Sequence, residues 1–342
     1  MKSPEKILIV RTDRIGDVVL TLPLAGILKK YFPGSKISFL VRSYTKPLVE
    51  NNPCIDEVIT LNQNDGKAEI LSNVKKLRSR FDLAVIAYPT FRIALILFLA
   101  GIKTRIGSGY RWYSFLFNRK VYEHRKKSDR HELEYNIRML RTIGIDEGVD
   151  PGSVQFNLQT ELKSRQIVDS LLHSRKIDPS KKIVIIHPGS GGSSVDLPFE
   201  RMKKLISLMA RELDVEILIT GSSGEKELCE SLVVNRKTKN FAGLFQLPEM
   251  IVLIERADIM IANSTGPIHI AAALGKKVIG FYPKIDSCSD TRWGPYTLKK
   301  KIFTPAIDCR NCTREHCEKL NCMSSINIEE VFDSVKLFLT KN

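Results

Sequence analysis

Strand-length runs in which consecutive positions are apolar, each ending in a polar turn and followed by a helix-length segment, constrain this chain more than any other feature. Lys6-Ile7-Leu8-Ile9-Val10 is the first. Its lack of alternation means that both faces must be covered, which is the pattern of a strand inside a parallel sheet flanked by helices. It runs into Arg11-Thr12-Asp13-Arg14-Ile15-Gly16-Asp17, and an apolar helix is predicted over residues 18–31. Strands at 36–41, 57–61 and 83–87 follow, separated by a short helix at 45–50 and a longer one at 68–80. The alternation predicts an α/β fold.

A second series begins after a polar linker and helix between 157 and 180. Its strand at 182–186 ends in His187-Pro188-Gly189-Ser190-Gly191-Gly192, a helix follows at 198–213, and the strand at 216–220 ends in Gly221-Ser222-Ser223-Gly224-Glu225. Segments 251–256, 259–262 and 277–281 continue the pattern. At 342 residues the chain exceeds one ordinary core. The expectation is two Rossmann-like domains facing each other across a cleft, residues 1–170 and 171–326, with a terminal helix at 327–342. Ligands should meet the loops at the carboxyl ends of the strands, where the polar glycine turns fall.

Charge narrows the partners. The 53 Lys and Arg against 38 Asp and Glu leave a net +15, and residues 1–170 carry 28 basic and 18 acidic groups. That excess suits an anionic small substrate or a membrane surface. Nucleic acid is not expected, because there is neither a recognition-helix signature nor a basic tract interleaved with stacking aromatics. The longest apolar run, residues 93–102, is too short to span a bilayer and reads as a buried helix or a lipid-facing patch. The first residues lack the long apolar core of a secretory signal, so a cytoplasmic location is the expectation.

Six of the seven cysteines lie beyond residue 200, and four form Cys309-x2-Cys312-x4-Cys317-x4-Cys322. Soft thiolates at this spacing allow a zinc or iron–sulfur site, and a loop of free thiols is the plainer reading.

Several residues could carry chemistry. Asp17 follows Gly16 where a loop meets a helix, so its carboxylate is either an N-cap or an ionised base that accepts a proton from an alcohol. Asp13 is the second candidate base, or a simple charge partner of its neighbours. Arg11 and Arg14 could clamp an anionic acceptor. His187, Gly189 and Ser190 close a strand in a turn that brings backbone amides near an anion, or they form an ordinary turn. Asn263-Ser264-Thr265-Gly266-Pro267-Ile268-His269 runs from a strand into a small-residue helix, and a helix N-terminus is a ready anion site. Ser264, Thr265 and Gly266 would face a phosphate there, with His269 either beside it or packed in the core. Neither a G-x-G-x-x-G nor a G-x-x-x-x-G-K-[ST] run occurs, which argues against a dinucleotide oxidoreductase and a P-loop enzyme. Gly189-Ser190-Gly191 lacks the spacing of a nucleophile elbow.

Taken together and in order, Arg11 to Pro23, His187-Pro188-Gly189-Ser190, Asn263 to His269 and Arg292-Trp293-Gly294-Pro295-Tyr296 resemble glycosyltransferase family 9, the ADP-heptose:lipopolysaccharide heptosyltransferases. The resemblance implies a GT-B fold with an N-terminal acceptor domain and a C-terminal nucleotide-sugar domain. It also implies an inverting enzyme with no cofactor and no metal in the transfer step. By it, Asp17 is the base, Arg11, Asp13 and Arg14 meet the acceptor, and His187, Gly189, Ser190, Ser264, Thr265, Gly266 and His269 bind the donor. The implied partners are ADP-heptose, an anionic lipopolysaccharide core or lipid A precursor, and the surface of the inner membrane. Two departures stand out. Characterised members carry Lys-Arg-Trp-Pro or Lys-His-Trp-Pro where this chain has Val195-Asp196-Leu197-Pro198, and many carry Asp-Thr-Gly where it has Ser264-Thr265-Gly266. A different nucleotide sugar, or a non-catalytic sugar-nucleotide binding protein, are the alternatives these departures raise.

Overall fold

The computed structural model describes residues 3–307 and 312–340, Lys126 by its backbone alone. Two compact units emerge, one of Met1–Arg125 with Glu132–Gln159 and one of Lys126–His131 with Thr160–Asn342.

The first unit begins with β1 (Lys6–Val10), α1 (Ile15–Val19), α2 (Pro23–Tyr31), β2 (Lys36–Val41) and β3 (Glu57–Thr60). A small hairpin of β4 (Gln63–Asn64) and β5 (Lys67–Ala68) leads to α3 (Ile70–Leu77), β6 (Leu83–Ile86), α4 (Phe91–Leu99), β7 (Thr104–Ser108), β8 (Arg119–Val121) and α5 (Glu132–Arg138). Six strands form a parallel sheet in the order β3-β2-β1-β6-β7-β8, with Ile9 opposite Phe39 on one side and Val85 on the other. Ile7 to Val10 and all four residues of β6 are buried, as unbroken apolar strands require.

In the second unit, α6 (Leu162–Ser174) precedes β9 (Lys182–His187), α7 (Phe199–Glu212), β10 (Val215–Ile219), α8 (Lys226–Ser231) and β11 (Thr238–Asn240). Then come α9 (Leu247–Arg256), β12 (Ile259–Asn263), α10 (Gly266–Ala273), β13 (Lys277–Phe281), α11 (Asp290–Trp293), β14 (Lys300–Phe303), α12 (Arg314–Lys319) and α13 (Ile328–Thr340). The order β11-β10-β9-β12-β13-β14 repeats that of the first sheet. In each, the chain winds outward from a central strand, returns, and winds the other way, which is the doubly wound Rossmann arrangement. The terminal helix α13 packs on α7, and Val331, Phe332 and Val335 join the core around Ile261 and Ile279. Ion pairs of Arg165 with Glu255 and of Asp169 with Arg256 tie α6 to α9.

Two helices differ from expectation. Residues 18–31 are not continuous: α1 starts three residues earlier, at Ile15, and α2 begins afresh at Pro23. Proline has no N–H to give to Val19, so the chain tightens into three-residue turns, Thr21 N to Val18 O and Leu22 N to Val19 O. The earlier start places Asp17 inside the first turn instead of at the cap. Residues 45–50, expected as a short helix, form a 3-10 helix at Ser43–Leu48 with Pro47 inside it.

Candidate functional site

The first unit gathers charge at its switch point, where the chain winds to either side of β1. Arg11 N bonds to Leu40 O at 3.1 Å, prolonging the sheet for one residue before the loop turns away. Arg14 is the N-cap of α1 in extended conformation, without a side-chain cap, and its side chain is exposed. Asp17, the third residue of α1, reaches back to Arg11.

Arg11 is buried, and its guanidinium is fully engaged. Its Nε donates to Asp13 at 2.8 Å, and its Nη1 to Glu132 at 3.2 Å and to Asn136 at 3.3 Å. Its Nη2 donates to Asp17. Glu132 in turn accepts from Arg125. Three carboxylates therefore share two guanidiniums away from bulk water. Burial pushes the Asp17 carboxyl up to about 6, Arg11 opposes that rise, and Asp13 and Glu132 add to it. Burial works against the charge of Arg11, and the three carboxylates more than offset it. Asp17 keeps 15% of its side-chain surface open, so an outside hydroxyl can reach it. A carboxylate with this pKa and this access suits a general base near neutral pH. Asp13 is an ion-pair partner of Arg11, and Tyr44 donates to its backbone carbonyl at 2.5 Å.

Glu132 and Asn136 escaped the sequence reading. They lie one turn apart on the buried face of α5, among Leu133, Tyr135 and Ile137. Asn136 also donates to Leu20 O and Thr21 Oγ1, both at 3.2 Å, which anchors α5 to the turn after α1. A polar i, i+4 pair inside an apolar helix stripe was the available signal.

The second unit brings its two polar turns together. His187 ends β9 and is buried. Thr220 donates to Ile186 O at 3.2 Å, so the His187 Nδ1–H donates to Thr220 Oγ1 at 3.0 Å. Burial pushes this imidazole down to about 4, against the pull of Glu225, and it is neutral at pH 7. A Cβ at Gly189 would collide with the Glu225 carboxylate, whose other oxygen accepts from Ser222 N at 2.7 Å. The Ser190 amide donates to Asp196 Oδ2 at 3.2 Å, so a carboxylate of the chain itself already satisfies it. Asn263 closes the arrangement by donating to Pro188 O and accepting from Leu197 N. Ser193 Oγ lies between Ser190 O at 2.7 Å and Ser264 O at 2.8 Å, joining the two turns.

Thr265 is the N-cap of α10, and its hydroxyl makes no capping bond. The amides of Thr265, Gly266 and Ile268 have no helical partner, while Pro267 contributes none. His269 is buried with its Nδ1 unpartnered among the described residues. Burial, then the nearby His131, push it down to about 3. His131 bonds Gly294 O at 2.7 Å and stacks on Tyr296 at 4.7 Å, so the Arg292-to-Tyr296 segment joins the same corner. His269 is thus packed in the core, with one of its ring nitrogens left without a partner among the described residues. Among the described residues, buried atoms on Ser194, Asp196 and His269 also lack a hydrogen-bond partner, and each of these residues belongs to one of the two turns or to the segment that follows it.

Cys309 lies outside the described residues. Cys317 and Cys322 are buried in the core of the second unit, with Cys312 packed beside it. Among the described residues no group of three or more His, Cys, Asp or Glu is placed to hold a metal ion. Nor is any described helix long and apolar enough to cross a membrane.

Comparison with known proteins bears on this geometry. The family model described as glycosyltransferase family 9 (heptosyltransferase) matches residues 70–323. A putative glycosyltransferase of Haemophilus influenzae is 30% identical over 302 residues, covering 85% of this chain and 86% of that protein. Among solved structures, a family 9 glycosyl transferase from Veillonella parvula superposes with a TM-score of 0.84 at 19% identity, covering 100% of this chain and 99% of that one. The ADP-heptose lps heptosyltransferase II of E. coli does so with a TM-score of 0.77 at 20% identity, covering 98% of each. At these identities the two structures establish the fold alone, two parallel-sheet α/β units of the GT-B class.

Proposed function

Because the chain belongs to glycosyltransferase family 9, we propose that it transfers heptose from ADP-heptose to an anionic lipopolysaccharide core or lipid A precursor, with inversion and without a metal. The observation that carries this reading is the Asp17 carboxylate, poised near pH 6, open at one edge and held by a buried Arg11. The first unit binds the acceptor, and Arg14, exposed beside the site, meets its negative charge. The second unit binds the donor on the turns at His187–Ser190 and Ser264–His269.

Asp17 takes the proton from an acceptor hydroxyl as that oxygen forms a bond to the anomeric carbon. The bond from that carbon to the diphosphate breaks, and the leaving oxygen departs with the electron pair. Its new charge is met by the amides of Thr265, Gly266 and Ile268, which no carbonyl of the helix takes, and by the positive end of α10. Neutral His187 and His269 donate or accept hydrogen bonds without adding charge. Arg11 acts through Asp17 and is a positioning residue. The similarity to an E. coli enzyme named for ADP-heptose and lps supports the choice of donor and acceptor. A lipid-borne acceptor places the chain at the cytoplasmic face of the inner membrane.

One observation favours a second donor. Asp196 stands where characterised members carry the second residue of Lys-Arg-Trp-Pro or Lys-His-Trp-Pro. Its Oδ1 is buried without a partner among the described residues, and burial raises its pKa. A sugar hydroxyl or amide group not present in heptose could fill that gap. The test is thermal stabilisation by a panel of nucleotide sugars, followed by turnover with a delipidated core acceptor. Stabilisation and turnover with ADP-heptose support the main reading. Stabilisation by another nucleotide sugar alone supports the second, and binding without turnover on any acceptor defeats both.

A further inference from the structure

We infer that the outer face of α4, continued by the Trp112–Phe115 turn, docks on the interfacial zone of an anionic lipid bilayer. The inference extends the reading of a lipid-borne acceptor, yet it stands on residues outside the candidate site. The inward side of α4, Ile93, Ala94, Ile96 and Leu97, is buried. A surface helix with one face in the core should show polar residues on the other. Instead Phe91, Phe98 and Leu99 lie on the outer side at the spacing of a single stripe, with Leu95 at its inner edge packed partly against the core. Phe98 and Leu99 are each 47% exposed.

The stripe does not end with the helix. Trp112 stacks on Phe91 at 4.9 Å, and Trp112 and Phe115 are 73% and 68% exposed. Arg105 lies over the Phe98 ring at 5.2 Å and donates to Leu116 O at 2.7 Å, so helix and turn form one surface. A contiguous exposed apolar patch of this kind marks a contact surface.

Charge selects the occupant. The 40 residues between Asp82 and Glu123 hold six basic and no acidic side chains. Arg92, Lys103, Arg111, Arg119 and Lys120 are exposed. Two copies meeting through this face would set cation against cation. An anionic leaflet meets those cations with phosphates, while rings settle at headgroup depth and aliphatic stems reach across the boundary. At nine residues α4 is too short to span a bilayer and lies in its plane.

The experiment is flotation of the full chain with vesicles of phosphatidylcholine alone and of phosphatidylcholine mixed with phosphatidylglycerol. The expected result is binding to the mixed vesicles only, weakened by salt, with a blue shift of tryptophan emission that disappears in Trp112→Phe. Phe98→Gln with Phe115→Gln should lower that binding at least about tenfold while turnover of a delipidated acceptor is unchanged. Equal binding to both vesicle types, no blue shift, or unchanged flotation of the double variant would overturn the inference. So would a wild-type oligomer that the double variant dissociates, since a second copy would then own the patch. Vesicle binding needs no acceptor, so absence of turnover would defeat the transfer reading and leave this one standing.

Discussion

The carboxylate of Asp17 is bound by the guanidinium of Arg11, a buried cation that Asp13 and Glu132 also share. This one contact joins a strand end to the first turn of a helix and sets how readily Asp17 takes a proton.

Ionisation of Asp17 should govern the acid side of the pH profile. The base works when unprotonated, so kcat/KM is expected to rise with pH through an apparent pKa near 6. Asp17→Asn should remove that limb and lower kcat by roughly 10²- to 10⁴-fold while nucleotide binding persists. The stability effect has the opposite sign. A pKa raised above the ordinary carboxyl range means that the folded state holds the proton more tightly, so stability falls as pH climbs from about 4 through about 6. At pH 8 Asp17→Asn should therefore be more stable than wild type, on the order of 1–3 kcal/mol, by denaturant unfolding. Unchanged turnover in this variant rules Asp17 out as the base.

Arg11→Met tests the buried cation. Removing it leaves carboxylates without their partner in a poorly solvated place, at a cost of about 3–5 kcal/mol near neutral pH. That loss should shrink as the medium is acidified and the carboxylates take up protons. Arg11→Lys retains the charge but cannot reach all the partners of a planar fork. Its acid limb should shift above that of wild type, which pH–rate profiles would reveal.

Gly189 is predicted to be required for space. Its φ is not in the left-handed region, and an added Cβ would collide with Glu225. Gly189→Ala should cost about 1–3 kcal/mol, and most of that penalty should vanish when Glu225→Ala is already present. A thermal-denaturation double-mutant cycle measures the coupling. Additive effects would show that the two residues do not oppose each other.

Thr265 caps α10 with its backbone alone. A threonine whose hydroxyl capped the helix would lose about 1 kcal/mol on substitution, whereas Thr265→Val should change stability by less than about 0.5 kcal/mol. Loss of one hydrogen bond to a charged ligand should still weaken nucleotide binding roughly tenfold. Calorimetric titration beside a melting curve separates the two roles, and a large stability loss with unchanged affinity would reverse the assignment.

Much of the fold was legible in the chain. The strands at 36–41 and 277–281 coincide with β2 and β13, because residues this apolar on both faces, such as Ile37, Phe39, Leu40 and Val278, Ile279, Phe281, have nowhere to go but the middle of a covered sheet. The polar turns after β1, β9 and β12 were also visible, since a helix that follows a tight turn leaves amides unpaired wherever it is packed. Less legible was the break at Pro23. Leu20 to Leu22 continue the apolar pattern of a helix, and only the missing N–H of the proline interrupts it. The short edge strands β8 and β11 carry little hydrophobic signal, because one side of each meets no neighbour.

What the chain alone fixes is most of the central strands and the turns that carry glycine. These are consequences of local sterics and of apolar runs a few residues long. Which distant residues become partners came from packing: Glu132 lies 121 positions from Arg11, and Glu225 backs Gly189 from a different turn. Winding the chain around a parallel sheet brings distant residues to the same strand ends, and the field felt by Asp17 belongs to that assembled set.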